Sequence, residues 1–318
     1  MIKLIFRQIF FVLVSFTGVT LISYMVLNSA DHGANTSLSY WQYISNIFKG
    51  DFGTSLVTAE PTINSFLLHL PASLELVLLS SILALLVGLP LGVIAAKYHR
   101  TPIDTIINNI SITAYSMPIF WWAILLIVYI AIEFQLTPVA GRLNFIYDIE
   151  PVTGFMLIDT FISDQSYRME AFFDAINHLI LPVITLATLP AAIICRMTRQ
   201  TMLTTLNADY IKTAQAKGLN GFGIYWIHGL RNALIPLTNM LGLQVSTLMT
   251  GAILTEYIFS WPGIGKWLLD ALSQTDYQAL STGILITTSM VILINAVIEL
   301  LGFWLNPQTK SSKRIYHG

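Results

Sequence analysis

Six stretches of this chain are long and apolar enough to cross a membrane, and nothing else in it constrains the fold as much. A spanning helix needs ~20 mostly apolar residues, because in hydrocarbon every backbone N–H and C=O must be paired within the segment. The runs fall at about 9–27, 73–96, 110–132, 179–201, 234–255 and 281–305. They leave little room for charge: 10% of the 318 residues are charged and 55% are hydrophobic, against about 25% charged in a soluble domain. Mean hydropathy is +0.68. The expectation is an all-α integral membrane protein forming a single domain over 1–318. Lys3 and Arg7 precede the first run as in a signal peptide. The run is too long for a signal segment and no small-residue cleavage site follows, so it reads as a retained anchor.

Charge orients the spans. The N-terminus, 97–109, 196–233 and the C-terminal tail hold twelve of the sixteen Lys and Arg, with only Asp104 and Asp209 as acids. Segments 28–72, 133–178 and 256–280 hold the other four, Lys49, Arg142, Arg168 and Lys266, with eleven acids besides Glu133 and Glu256, such as Asp51, Asp159, Asp174 and Asp276. The positive-inside rule places the first group in the cytoplasm. Both termini are then cytoplasmic, as six spans require. The long outer segments 28–72 and 133–178 are expected to form small extracytoplasmic caps between spans 1 and 2 and between spans 3 and 4, because structureless loops rarely exceed ~12–15 residues. Glu75, Glu133 and Glu256 fall near outer span ends and read as solvated.

Chemistry-bearing motifs are scarce. Gly265-Lys266 is the sole Gly-Lys pair, and Ser260 and Trp267 occupy positions where a phosphate-binding loop needs Gly and Ser or Thr. The histidines are scattered without HxxxH or HExxH spacing, no GxSxG elbow occurs, and the one cysteine, Cys195, excludes an internal disulfide. No catalytic or metal site is expected. Glu299 falls ~9 Å inside the last span, with Asn295 one turn away on the same face. These two are candidates for a pathway or for helix packing, and Glu299 also motivates an alternative, an ion-coupled stand-alone carrier. Gly88-Leu-Pro-Leu-Gly92 has the small-residue spacing of close helix packing.

The segment at about 202–233 is unusually well built for a connection. Asp209 suits a helix N-terminus, the residues through Lys217 favour helix, and Gly218 suits a left-handed stop. Asn220 is expected to cap a second short helix ending near His228, with Leu219, Phe222, Tyr225 and Trp226 as an exposed apolar grip. Arg231 and Asn232 return the chain to the interface, and Pro236 is placed in the first turn of the next span. Two roles fit: a helix resting on lipid, or one docking into a partner's groove.

Here the sequence resembles a known family. Lys212-Thr-Ala-Gln-Ala-Lys217-Gly218 and Arg231-Asn-Ala-Leu-Ile-Pro236 are similar to the glycine-containing EAA loop of the permease subunits of ATP-binding-cassette peptide importers, in particular the B-type subunit of dipeptide and oligopeptide systems. The leading Glu of the general motif is Lys212 in this chain. Gly50-Asp-Phe-Gly-Thr-Ser55, Leu70-Pro-Ala-Ser-Leu-Glu-Leu76 and Glu256-Tyr-Ile-Phe-Ser-Trp-Pro-Gly-Ile-Gly265 resemble three further family segments. The 151–159 stretch is most similar to a subgroup associated with antimicrobial-peptide sensitivity and putrescine export.

The resemblance implies a type I ABC importer permease of six spans in the bacterial inner membrane. It implies as partners a second, C-type permease, two ATPases and a periplasmic solute-binding protein, and no nucleic acid. The chain itself would be non-catalytic and carry no cofactor; ATP and magnesium would be used by the partner ATPases. Coupling to them would fall on Ala214, Lys217, Gly218, Leu219, Arg231 and Asn232. The cargo implied is peptide, with polyamine export as the alternative.

Overall fold

The computed structural model describes residues 2–29, 39–216, 218–219 and 221–305; the side chains of 2–5, 212, 214–216, 228, 232–243 and 301–305 fall outside that description. Of the charges used for orientation, Asp31, Lys217, Lys310, Lys313 and Arg314 lie outside the described residues. Helix is the only extended regular structure among the described residues, beside one isolated bridge between Thr54 and Pro61. Those residues form eleven α-helices in order: α1 Ile2–Asn28, α2 Tyr40–Phe48, α3 Thr62–Lys97, α4 Pro102–Ser116, α5 Ile119–Leu126, α6 Met156–Ile162, α7 Arg168–Leu206, α8 Asp209–Ala216, α9 Leu230–Ile258, α10 Ile264–Ser273 and α11 Tyr277–Leu305. Two π-helical stretches, Ile127–Glu133 and Gly223–Gly229, extend α5 and lead into α9.

Among the described residues four helices, within α1, α3, α7 and α11, are long and apolar enough to span a membrane. A fifth stretch passes the same test only as a bent pair of helices, a broken span or a re-entrant loop. The run expected as one helix over 110–132 is broken: α4 and the α5 segment through Glu133 meet at 105°. Pro118 accounts for this, since a residue before proline is driven out of the helical region. Met117 accordingly sits at φ −76°, ψ 127°. The 234–255 run falls within α9, much of it on residues described by backbone alone.

The chain divides into two compact units. The first comprises Met1–Leu76, Ala123–Pro182 and Ala252–Ala296. Its polar ties are dense. In the Gly50–Ser55 segment, Gly53 has φ +80°, and a Cβ there would meet the Gln278 side chain at 2.1 Å. Ser55 Oγ and the Leu56 N–H donate to buried Asp276 at the start of α11. Thr62 and Thr282 share a hydrogen bond at 2.9 Å.

The second unit comprises Val77–Trp122, Val183–Gly251 and Val297–Gly318. There α3 and α7 approach backbone to side chain. A Cβ on Gly88 would lie 2.7 Å from the Ala191 carbonyl oxygen, and one on Gly92 would lie 2.6 Å from that of Cys195. The GxxxG spacing therefore serves packing within the chain. Buried Ala84, Ala187 and Ile194 continue this seam.

Candidate functional site

Three constructions gather the polar side chains, and the first was read differently from sequence. Glu75 and Glu256, expected to be solvated, are 4% and 1% exposed. Each is paired in the first unit. Ser73 Oγ–H donates to Glu256 Oε1 at 2.6 Å, and the N–H groups of Gly265 and Lys266 donate to Oε2 at 2.6 and 3.2 Å. The Ile264 N–H donates to Ser73 Oγ at 2.7 Å. The first-turn N–H groups of α10, which no helix can satisfy internally, are thus met by one carboxylate and one hydroxyl, and the carboxylate lies where the helix dipole favours it.

The glycines of Glu256–Gly265 follow from that contact. A Cβ on Gly263 would lie 2.4 Å from the Glu256 carboxyl carbon, and one on Gly265 would lie 2.4 Å from Ile253 Cα. Trp261, fully buried, donates its indole N–H to the Ala72 carbonyl at 2.9 Å. Arg142 stacks over that ring at 5.5 Å and donates from Nε and Nη2 to Glu75 Oε2. Glu75 Oε1 accepts from the Leu157 N–H, and Arg142 also reaches the Gly154 carbonyl. Only Glu133 of the three acids is exposed. The burial was missed because each acid's side-chain partner is remote in sequence, 67 residues away for Glu75 and 183 for Glu256. The recurrence of Glu beside Ser73 and beside Pro-Gly-x-Gly was the signal available.

The second construction, in the second unit, lies beyond the apolar 110–132 run. Arg199 donates from Nε to Asp104 Oδ1 at 2.6 Å and from Nη2 to Oδ2 at 2.8 Å. The Arg100 N–H donates to Oδ2 as well, and His99 Nδ1 lies 3.1 Å from it. Asp104 is 4% exposed. The Arg199 guanidinium, against the opposing effect of burial and helped by the Arg100 N–H and His99, holds the Asp104 carboxyl well below the usual carboxylate range. This two-pronged pair fastens the first turn of α4, just after the α3–α4 turn, to α7. Arg100 takes φ +65° to close that turn.

The third is the expected coupling segment, also in the second unit. α8 begins at Asp209 and ends at Ala216. Gly218 follows with φ +79°, and a Cβ there would meet nothing within 4 Å. Gly218 and Leu219 are exposed, as is Arg231 in the first turn of α9. Phe222 and Ile227 are exposed too. Lys217 and Asn220 lie outside the described residues, and so do the side chains of Ala214 and Asn232.

Three expectations for this segment are corrected. Tyr225 and Trp226 do not form part of an exposed grip: they are half-buried against Val93, Ala96 and Met202. No separate helix ends at His228 either. The Gly223–Gly229 π-turns run straight into α9, with the Leu230 N–H donating to the Tyr225 carbonyl. Pro236 therefore lies inside α9 rather than in its first turn. The wide turn admits close contact: a Cβ on Gly229 would touch the Met202 side chain at 2.8 Å. Far along α11, Asn295 is half-buried and Glu299 exposed.

These constructions hold elements in place and present one exposed glycine-hinged ridge; none sets a nucleophile against a base. Comparison with known proteins agrees with a membrane transport role. The family model described as "Binding-protein-dependent transport system inner membrane component" matches residues 88–311. A di/tripeptide transport system permease protein DppB of Pseudomonas aeruginosa is 48% identical over 274 residues, 86% of this chain and 81% of that one. The dipeptide transport system permease protein DppB of Escherichia coli K12 is 45% identical over 277 residues, with the same shares covered. The putrescine export system permease protein SapB of the same organism is 38% identical over 295 residues, 93% of this chain and 92% of its own length. The chain belongs to the family of inner membrane components of binding-protein-dependent transport systems.

Proposed function

We propose that this chain is one permease of an ATP-driven peptide transporter, a single membrane domain of six spans with both termini in the cytoplasm. It pairs with a second, C-type permease, and the two form the path. Two ATPases supply the energy and a periplasmic solute-binding protein delivers cargo, so this chain performs no covalent chemistry. The similarity to di- and tripeptide permeases over 86% of the chain carries this reading. The ridge of α8, Gly218, Leu219 and Phe222 fits the coupling role: it is exposed, hinged at a left-handed glycine, and braced from behind by Tyr225, Trp226 and Met202. Ala214, Lys217, Gly218, Leu219, Arg231 and Asn232 would meet the ATPase or hold the ridge. Asn295 and Glu299 would serve helix packing or the path.

Transmission requires that ATP bias two arrangements of the assembly differently. In Gly218→Asp the open space around the hinge admits the side chain, so membrane insertion persists. Substrate-stimulated ATP hydrolysis by the purified assembly is expected to be lost. Normal stimulation in that variant would overturn the coupling assignment. Gly218→Ala separates strain from docking: a left-handed alanine costs ~1–2 kcal/mol and adds no charge.

Polyamine export is a second reading, favoured by the match to the putrescine export permease along 93% of the chain. The acid-rich segments 133–178 and 256–280 suit cationic cargo of either kind. Inside-out vesicles decide: ATP-dependent accumulation of labelled putrescine marks export, whereas ATP-dependent release of preloaded dipeptide marks import.

A further inference from the structure

α2 carries an exposed face that the transport reading does not use. Nine residues form a helix here because a capping box closes its start: the Gln42 N–H donates to Ser39 Oγ, and the Ser39 N–H to Gln42 Oε1. Its inner side is fastened to α1 and α11. Tyr40 and Thr20 hydroxyls lie 2.8 Å apart, and Tyr43 and Ser23 hydroxyls 2.7 Å. Ser23 also donates to the Ser281 carbonyl at 2.7 Å. Tyr24 packs against both Tyr40 and Tyr43.

These ties fix the depth of α2. Thr20 and Ser23 lie eight and five residues before the end of α1 at Asn28, a drop of ~8–12 Å at helical rise. At that level α1 still exposes Leu21, Ile22 and Met25, so α2 docks beside apolar, membrane-facing helix. Its outward face is divided lengthwise. Trp41 and Phe48 are 77% and 79% exposed and stand seven residues apart, nearly in line. Gln42, Ser45 and Lys49, also exposed, form the other rim. An aromatic rim and a polar rim on a short helix, among three further tyrosines, match the chemistry of the headgroup–acyl boundary.

We propose that α2 is an interfacial anchor: Trp41 and Phe48 insert into the phospholipid leaflet in which α1 ends, with Lys49 at the phosphates and Gln42 and Ser45 toward water. The anchor holds Tyr43, and through it Ser23 and Ser281, at a fixed depth. It does not depend on which cargo is carried.

Cys195 is the only cysteine, so a Cys195→Ser background allows single nitroxide labels at Phe48→Cys and Gln42→Cys. In the whole transporter assembly reconstituted into phosphatidylethanolamine–phosphatidylglycerol vesicles, relaxation by oxygen should exceed relaxation by a water-soluble nickel chelate several-fold at position 48 and reverse at position 42. Nickel access at 48 equal to that at 42 overturns the proposal in favour of an aqueous face. Exclusion of both relaxants from 48 overturns it in favour of a face covered by another subunit. A second measurement needs no label: in vesicles of brominated lipid, Trp41→Phe should lose a quenchable component of the fluorescence. An unchanged quenched fraction also overturns the proposal.

Discussion

Buried carboxylates explain more of this protein than their number suggests. Glu256 accepts from Ser73 Oγ–H and from two α10 N–H groups at 1% exposure, so its removal strands three donors, not one. Glu256→Ala is expected to destabilise the protein by about 2–3 kcal/mol; Glu256→Gln, which keeps an acceptor, should lose less. Denaturation of the purified variants in detergent measures both. Asp104 obeys a different sign rule from a buried, unpaired acid. Its lowered pKa means that the clasp contributes stability above the ordinary carboxylate range and loses it as pH falls through the folded value. Wild-type stability attributable to the clasp should be flat from pH 8 to 5 and decline below about pH 4. Asp104→Asn should cost about 2–3 kcal/mol at pH 7 and show no such acid decline, read as midpoints across a pH series.

Helix packing depends on where the chain lacks side chains. Gly92 faces Cys195 O and Thr198 across the α3–α7 seam, whereas a Cβ on Gly18 in α1 would meet nothing within 4 Å. Gly92→Val should therefore lower stability by at least ~1–3 kcal/mol, while Gly18→Ala should be neutral or slightly stabilising by helix propensity. Yield and thermal midpoint of the two variants compare them directly. At this scale the sequence was read well where local rules decide. α8 and the long helices follow caps, composition and apolar length. It was read badly at Met117-Pro118, where apolar length suggested one straight span and proline chemistry broke it. It was also read badly at Gly223–Gly229, where wide turns fused an expected separate helix into α9.

For the chain as a whole, the charge asymmetry gives the proposed orientation a direct test. Alkaline phosphatase fused after residue 49 or 142 should be active, and after residue 104 or 212 inactive, since the enzyme folds only outside the cytoplasm. Activity at 104 or 212 would reverse the assignment. On the proposed function, a permease energised by partner ATPases has no need of a proton-carrying acid; Glu299 is exposed on α11.

Sequence alone determined the all-helical membrane class, because apolar length and unpaired backbone in lipid leave few other solutions. It also determined where α8 and the glycine stop after it lie, since caps and glycine are local signals. Tertiary structure decided which polar residues are buried. Glu75 with Arg142, Glu256 with Ser73, and Asp104 with Arg199 are joined across 67, 183 and 95 residues. A carboxylate's environment is set by what folds against it, and no periodicity along the chain records that.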